Sequence, residues 1–164
     1  MYSIGDIVVK VNDGVCRVEE ITKLQMSGVS NDRLYYLLVP IHNNGSKIFV
    51  PLEGKAEELR PVIEPEAIAQ ILEKLPEMDV EWITNNKLRE LKYKEGLHSG
   101  NLEIMVGYIK IMYQKRGERE AAGKRNTAVD ERYLKLMEDA VYAEFAFSLG
   151  CERSEIKKKV IQMF

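Results

Sequence analysis

The chain has 164 residues, 45% of them hydrophobic, and a formal net charge of −2. That length fits one domain or two small ones, and that apolar share suffices for a packed core. No apolar run approaches the roughly 18 residues of a membrane span, and the start lacks the basic-then-apolar pattern of a signal peptide, so no membrane partner is expected. Cys16 and Cys151 lie far apart without Cys-x-x-Cys spacing, and with seven methionines they fit a reducing, cytoplasmic setting.

The small total hides an uneven distribution. Residues 1–62 carry 7 Lys/Arg and 8 Asp/Glu, residues 63–83 carry 1 and 6, and residues 84–125 carry 10 and 5. A local basic excess attracts phosphate even when the whole chain is nearly neutral.

The first sixty residues read as strands. Ile4–Lys10 and Asn12–Ile21 hold two short β-rich runs, with Val8, Val9, Val15, Val18 and Ile21 as their β-branched residues, flanking a turn that contains Asp13-Gly14, a tight-turn signal. A polar connection is expected over Thr22–Asn31, then an apolar and aromatic strand over Arg33–Pro40. His42-Asn43-Asn44-Gly45 is a turn signal, Lys47–Pro51 is the next strand, and Leu59–Val62 closes the unit. Four or five short strands in this span predict a small SH3-like or Tudor-like barrel.

The pattern changes at Glu64-Pro65. Pro65 suits the first turn of a helix, Ile68, Ile71, Leu72 and Leu75 recur at helical spacing, and Pro76 ends the run. A connection over Glu77–Thr84 carries Trp82, and a second helix is expected over Asn85–Glu95, with Leu88 and Leu91 on one side among lysines and arginine. His98-Ser99-Gly100 breaks it, and Asn101 caps a third helix through about Gln114. Lys115–Asn126 reads as a charged loop, a fourth helix runs from about Val129 to Leu149 with Gly150 as its stop, and a fifth covers about Glu152–Gln162. The predicted class is α+β: a barrel over 1–62, then an all-α bundle of about five helices over 63–164.

Little supports catalysis. His42 and His98 have no companion ligands at metal spacing, and Gly96, Gly100 and Gly107 do not make a phosphate loop. We therefore expect no catalytic residues, no metal, no cofactor and no small-molecule substrate. Trp82, the sole tryptophan, has two readings. It is either a core anchor between helices or an apolar wedge beside phosphate-binding cations, with Asn85, Asn86, Lys87, Arg89 and Lys92 just after it. The Lys115-Arg116, Arg119 and Lys124-Arg125 cluster reads first as a solvated loop and second as a further phosphate contact. In the barrel, Lys47-Ile48-Phe49-Val50 is the better candidate for an edge that accepts a partner strand.

Together these residues resemble the CarD/CdnL family of bacterial RNA polymerase-binding transcription regulators. The strongest likeness is Gly5-Asp6-Ile7-Val8-Val9 with Asp13-Gly14 and Val18, followed by Val50-Pro51 and Leu59-Arg60. In the second domain it rests on Trp82, Lys87, Ser99-Gly100-Asn101 and the order of helices. The first domain also resembles the polymerase-interacting module of transcription-repair coupling factor.

The resemblance implies a Tudor-like domain on the polymerase β subunit and a helical domain on promoter DNA at the upstream edge of the −10 region. Trp82 would wedge into the minor groove, with basic residues on phosphates, and stabilise the open promoter complex. The chain departs from the family where Thr84, Asn85 and Asn86 replace arginines, and where Leu24 and Phe49 stand at two polymerase-facing arginine positions. Leu24, Lys47 and Phe49 are thus the expected partner contacts. The rival expectation is a protein–protein adaptor whose bundle does not bind DNA.

Overall fold

A computed structural model describes residues 1–25, 27–28, 32–54 and 58–164. The chain divides into two compact units, Met1–Val62 and Ile63–Phe164. Together they make an α+β arrangement, a five-stranded antiparallel sheet followed by five α-helices.

The first unit contains β1 (Ile7–Lys10), β2 (Gly14–Lys23), β3 (Leu34–Pro40), β4 (Ile48–Pro51) and β5 (Leu59–Pro61), in the order β4-β3-β2-β1-β5. Alternation along the strands sends Val8, Cys16, Val18, Tyr36, Leu38, Val50 and Leu59 into one apolar core. β2 is longer than its apolar run suggested. Thr22 and Lys23 pair with Tyr35 and Leu34, so the expected connection starts later, and part of it lies outside the described residues. A register shift between Val18 and Glu20 bulges β2, which lets one long strand serve both β1 and β3. The first hairpin turns through Val11–Asp13, with positive φ at Asn12 and Gly14 rather than at Asp13.

The second unit contains α1 (Pro65–Lys74), a 3₁₀ turn (Leu75–Glu77), α2 (Asn86–Ser99), α3 (Leu102–Ala121), α4 (Ala128–Leu149) and α5 (Arg153–Ile161). Asn85, Asn101 and Thr127 cap α2, α3 and α4 by accepting from the backbone N–H three residues on. Gly100 and Gly150 end α2 and α4 in the left-handed conformation. The core joins Ile68, Leu75, Tyr93, Val106, Ile109, Met112, Met137, Val141, Phe145 and Val160, among others.

Two expectations for this unit need correction. α3 does not stop near Gln114 but runs on to Ala121, so Lys115, Arg116 and Arg119 are helical. A lone Gly117 costs about 1 kcal/mol in a helix, and the helix-forming run around it, with a Lys115–Glu118 ion pair, outweighs that. α2 likewise runs past Glu95 to Ser99. Its inward residues are Arg89, Tyr93 and Gly96, while Leu88 and Leu91 are 46% and 51% exposed.

Candidate nucleic-acid interface

The segment from Met78 to Asn85 has no regular structure, yet buried cations fasten it at both ends. At the near end the Lys110 ammonium, from α3, donates to the carbonyls of Leu75 (2.9 Å), Pro76 (2.9 Å) and Met78 (2.8 Å). The Pro76 and Met78 carbonyls thus find a donor, and the Leu75 carbonyl, which also accepts from the Met78 N–H, gains a second. Next to it, Gly107 of α3 lets Val80 approach: a Cβ at Gly107 would stand 3.0 Å from Val80 Cγ2. At the far end Arg89 Nη1 donates to the carbonyls of Ile83 (2.9 Å) and Thr84 (3.3 Å).

Trp82 lies between these two fastenings. It is only partly buried, and neither the core nor the partly buried hydrophobic residues packed on it include it. Its ring meets cations instead. Arg89 Cζ is 4.4 Å from the ring centroid, Arg119 Cζ 5.3 Å and Lys115 Nζ 5.6 Å. Such contacts contribute about 0.5–2 kcal/mol each, more where water is excluded.

Asp130, in the first turn of α4, organises these cations. Its Oδ1 accepts from Arg89 Nε (2.9 Å) and the Tyr93 hydroxyl (2.8 Å). Its Oδ2 accepts from Arg89 Nη2 (3.0 Å), Arg119 Nη1 (2.8 Å) and the Thr127 hydroxyl. Arg89 and Asp130 are 3% and 1% exposed, so this is a buried, bidentate pair. Burial alone would push the Asp130 carboxyl up. The hydrogen bonds from Arg89, Thr127, Arg119 and Tyr93 outweigh it and hold the carboxyl well below the usual carboxylate range. Burial, reinforced by the Asp130 acceptor, pushes the Tyr93 phenol well above its ordinary value.

The six residues expected at this interface therefore separate. Trp82 stands partly buried among cations. Arg89 is withdrawn from the set, because its remaining Nη2 donor goes to Asn86 Oδ1 and all five N–H donors are used inside the chain. Asn86 is exposed but holds Arg89, and Asn85 spends its side-chain oxygen on the Leu88 N–H. Lys87 is exposed, and Lys92 pairs with Glu95 at 3.0 Å. Sequence reasoning missed Asp130 and Lys110 altogether, and it put Lys115 and Arg119 in a loop rather than beside Trp82. The one available signal was Thr127-Ala-Val-Asp130, a helix-cap pattern with an acid three residues after the capping threonine.

In the sheet unit, Phe49 projects from the terminal strand β4 and is 42% exposed, with exposed Lys47 just before it. Phe49 pairs with Leu37, whereas Leu24 follows the Lys23–Leu34 pair on the other side of β3. The register thus groups Lys47 with Phe49 and sets Leu24 apart, beyond the Lys23–Leu34 pair at the start of β3.

No helix among the described residues is long and apolar enough to cross a membrane. Among the same residues, no three His, Cys, Asp or Glu side chains gather as metal ligands would. A search of curated proteins finds no match to the chain. A sequence profile of the CarD-like/TRCF RID domain matches residues 2–63, nearly the whole sheet unit, and leaves the helical unit outside the match. That domain type is Tudor-like, in keeping with the strand pattern read from the sequence. The sheet unit of this chain is therefore similar, over nearly its whole length, to the CarD-like/TRCF RID domain, an RNA polymerase-interacting domain.

Proposed function

We propose that the chain is a non-enzymatic transcription regulator that bridges RNA polymerase and promoter DNA. Residues 1–62 hold the polymerase β subunit, with Lys47 and Phe49 at the β4 edge as the contact and Leu24 as a more distant one. Residues 63–164 lie on DNA at the upstream edge of the −10 region, with Trp82 at the minor-groove junction with melted DNA. Contact made only with the open complex stabilises it, and about 1.4 kcal/mol shifts the balance tenfold.

The observation that carries this reading is the setting of Trp82: outside the apolar core, only partly buried, against three cations. An indole outside the apolar core can offer apolar surface to a base step, and Lys115, the ring cation that Asp130 does not hold, adds positive charge beside it. Lys87, Lys92 and Lys115 are the phosphate-facing cations on this reading, and Asn85 and Asn86 support the start of α2. The test is the lifetime of the open complex formed by purified polymerase on a promoter. Trp82→Ala should shorten it without changing polymerase affinity, and an unchanged lifetime, where the wild-type chain lengthens it, refutes the wedge. Lys87→Ala and Lys115→Ala should each reduce the slope of log affinity against log salt by about 1.

One observation favours the rival, a protein–protein adaptor. Leu88 and Leu91 expose two apolar side chains on one helix close to Trp82 in sequence. If the adaptor reading holds, Leu88→Lys with Leu91→Lys removes bundle function while Trp82→Ala leaves it intact.

A further inference from the structure

We infer that Asp130 is the positioning residue for Trp82, acting through Arg89 to hold the indole in a single orientation. The path is short and continuous. Asp130 grips Arg89 with both carboxylate oxygens, and the same guanidinium binds the two carbonyls that follow Trp82 and lies 4.4 Å from its ring centroid. The ring of the tryptophan and the backbone just after it are thus held by one planar group, which is in turn held by one carboxylate.

Two features argue that this arrangement positions the indole rather than merely stabilising the bundle. First, a buried ion pair is seldom worth more than well-packed apolar residues of the same volume, so its distinctive contribution is to specify one geometry. Here the geometry specified is that of a surface segment with no regular structure of its own. Second, Asp130 also takes Arg119, so two of the three cations at the ring spend donors on one acid, whose single negative charge offsets one of their two positive charges. Those guanidiniums are engaged within the chain and brace the indole. A ring held this way pays less ordering entropy when it meets its target.

The role in DNA contact rests on the bridge reading above, whereas the positioning itself does not. Because Trp82 is the sole tryptophan, its fluorescence reports on this ring alone. The experiment compares Asp130→Asn and Arg89→Lys with Glu138→Gln, which disturbs another buried acid bonded to Tyr113 and Lys157. Variants are studied as full chains at a temperature where circular dichroism shows them folded. Arg89→Lys, which keeps the charge but loses the planar fork, serves if Asp130→Asn does not fold.

Iodide quenching of Trp82 should roughly double, and its anisotropy should fall, in the Asp130 and Arg89 variants but not in Glu138→Gln. If only about a tenth of molecules then hold the productive orientation, open-complex stabilisation should weaken about tenfold, towards the level of Trp82→Ala. Unchanged quenching and anisotropy in folded Arg89→Lys and Asp130→Asn would overturn the inference, as would an equal change in Glu138→Gln. Loosened fluorescence with an unaltered open-complex lifetime would support the positioning and refute the wedge.

Discussion

The two units bury different things. In the sheet unit the buried side chains are apolar: Val8, Cys16, Val18, Tyr36, Leu38, Val50 and Leu59 meet on one face. In the helical unit five residues with charged side chains are buried alongside the hydrocarbon: Arg89, Lys110, Asp130, Glu138 and Glu144. The difference follows from what each must hold. A ladder of strands satisfies its own backbone, so the sheet needs only apolar surface between its faces. The bundle must also hold irregular chain against helices. Lys110 takes three carbonyls after α1, Arg89 takes two before α2, and Glu144 accepts the N–H of Ile63 at the unit's first residue. Each of these three sits where the backbone leaves regular structure and needs side-chain partners.

The contrast breaks first at Asp130. Asp130→Ala strands the buried Arg89 and frees the part-buried Arg119, and should cost the helical unit about 3–5 kcal/mol in urea unfolding. Leu38→Ala, in the all-apolar core, should cost the sheet unit about 2–5 kcal/mol and leave Trp82 fluorescence unchanged. Acid sharpens the comparison further. The folded Asp130 carboxyl titrates below its ordinary value of 3.8, so its contribution is complete above that value and is lost as pH falls through the folded one. Wild type and Asp130→Asn should therefore converge in helical-unit stability on acidification. Thiol labelling gives the next contrast: burial pushes the Cys16 thiol up to about 11, so Cys151, only partly buried, should react first at neutral pH. The smallest effect belongs to Gly107→Ala. Alanine gains about 1 kcal/mol of helix propensity but crowds Val80, so stability should barely move while Trp82 emission shifts.

Much of the fold was legible, because caps and breakers act locally. Pro65 at the start of α1, Asn101 before α3 and Gly150 after α4 each work through their own backbone neighbours. The strand runs were legible too, through alternation and turn residues. The interface was not, for a physical reason. Periodicity treats a leucine as buried and an arginine as exposed, and α2 inverts both. Arg89 goes in because Asp130, 41 residues away, is there to receive it, and Leu88 and Leu91 stay out. A helix-interior glycine misled in the same way: Gly117 suggested a loop, yet the run around it carried α3 on to Ala121. Trp82 was found as a candidate by being alone, but what distinguishes it, three cations and no core contact, exists only in three dimensions.

The terminal position of β4 has a consequence for the molecule at high concentration. A free strand edge offers its backbone groups to any extended chain, including another copy of itself, and long flat edges seed fibrils. β4 is four residues long, follows Lys47 and ends at Pro51, which has no N–H to give. A charge at one end and a missing donor at the other leave room for one brief, defined docking and little for runaway stacking.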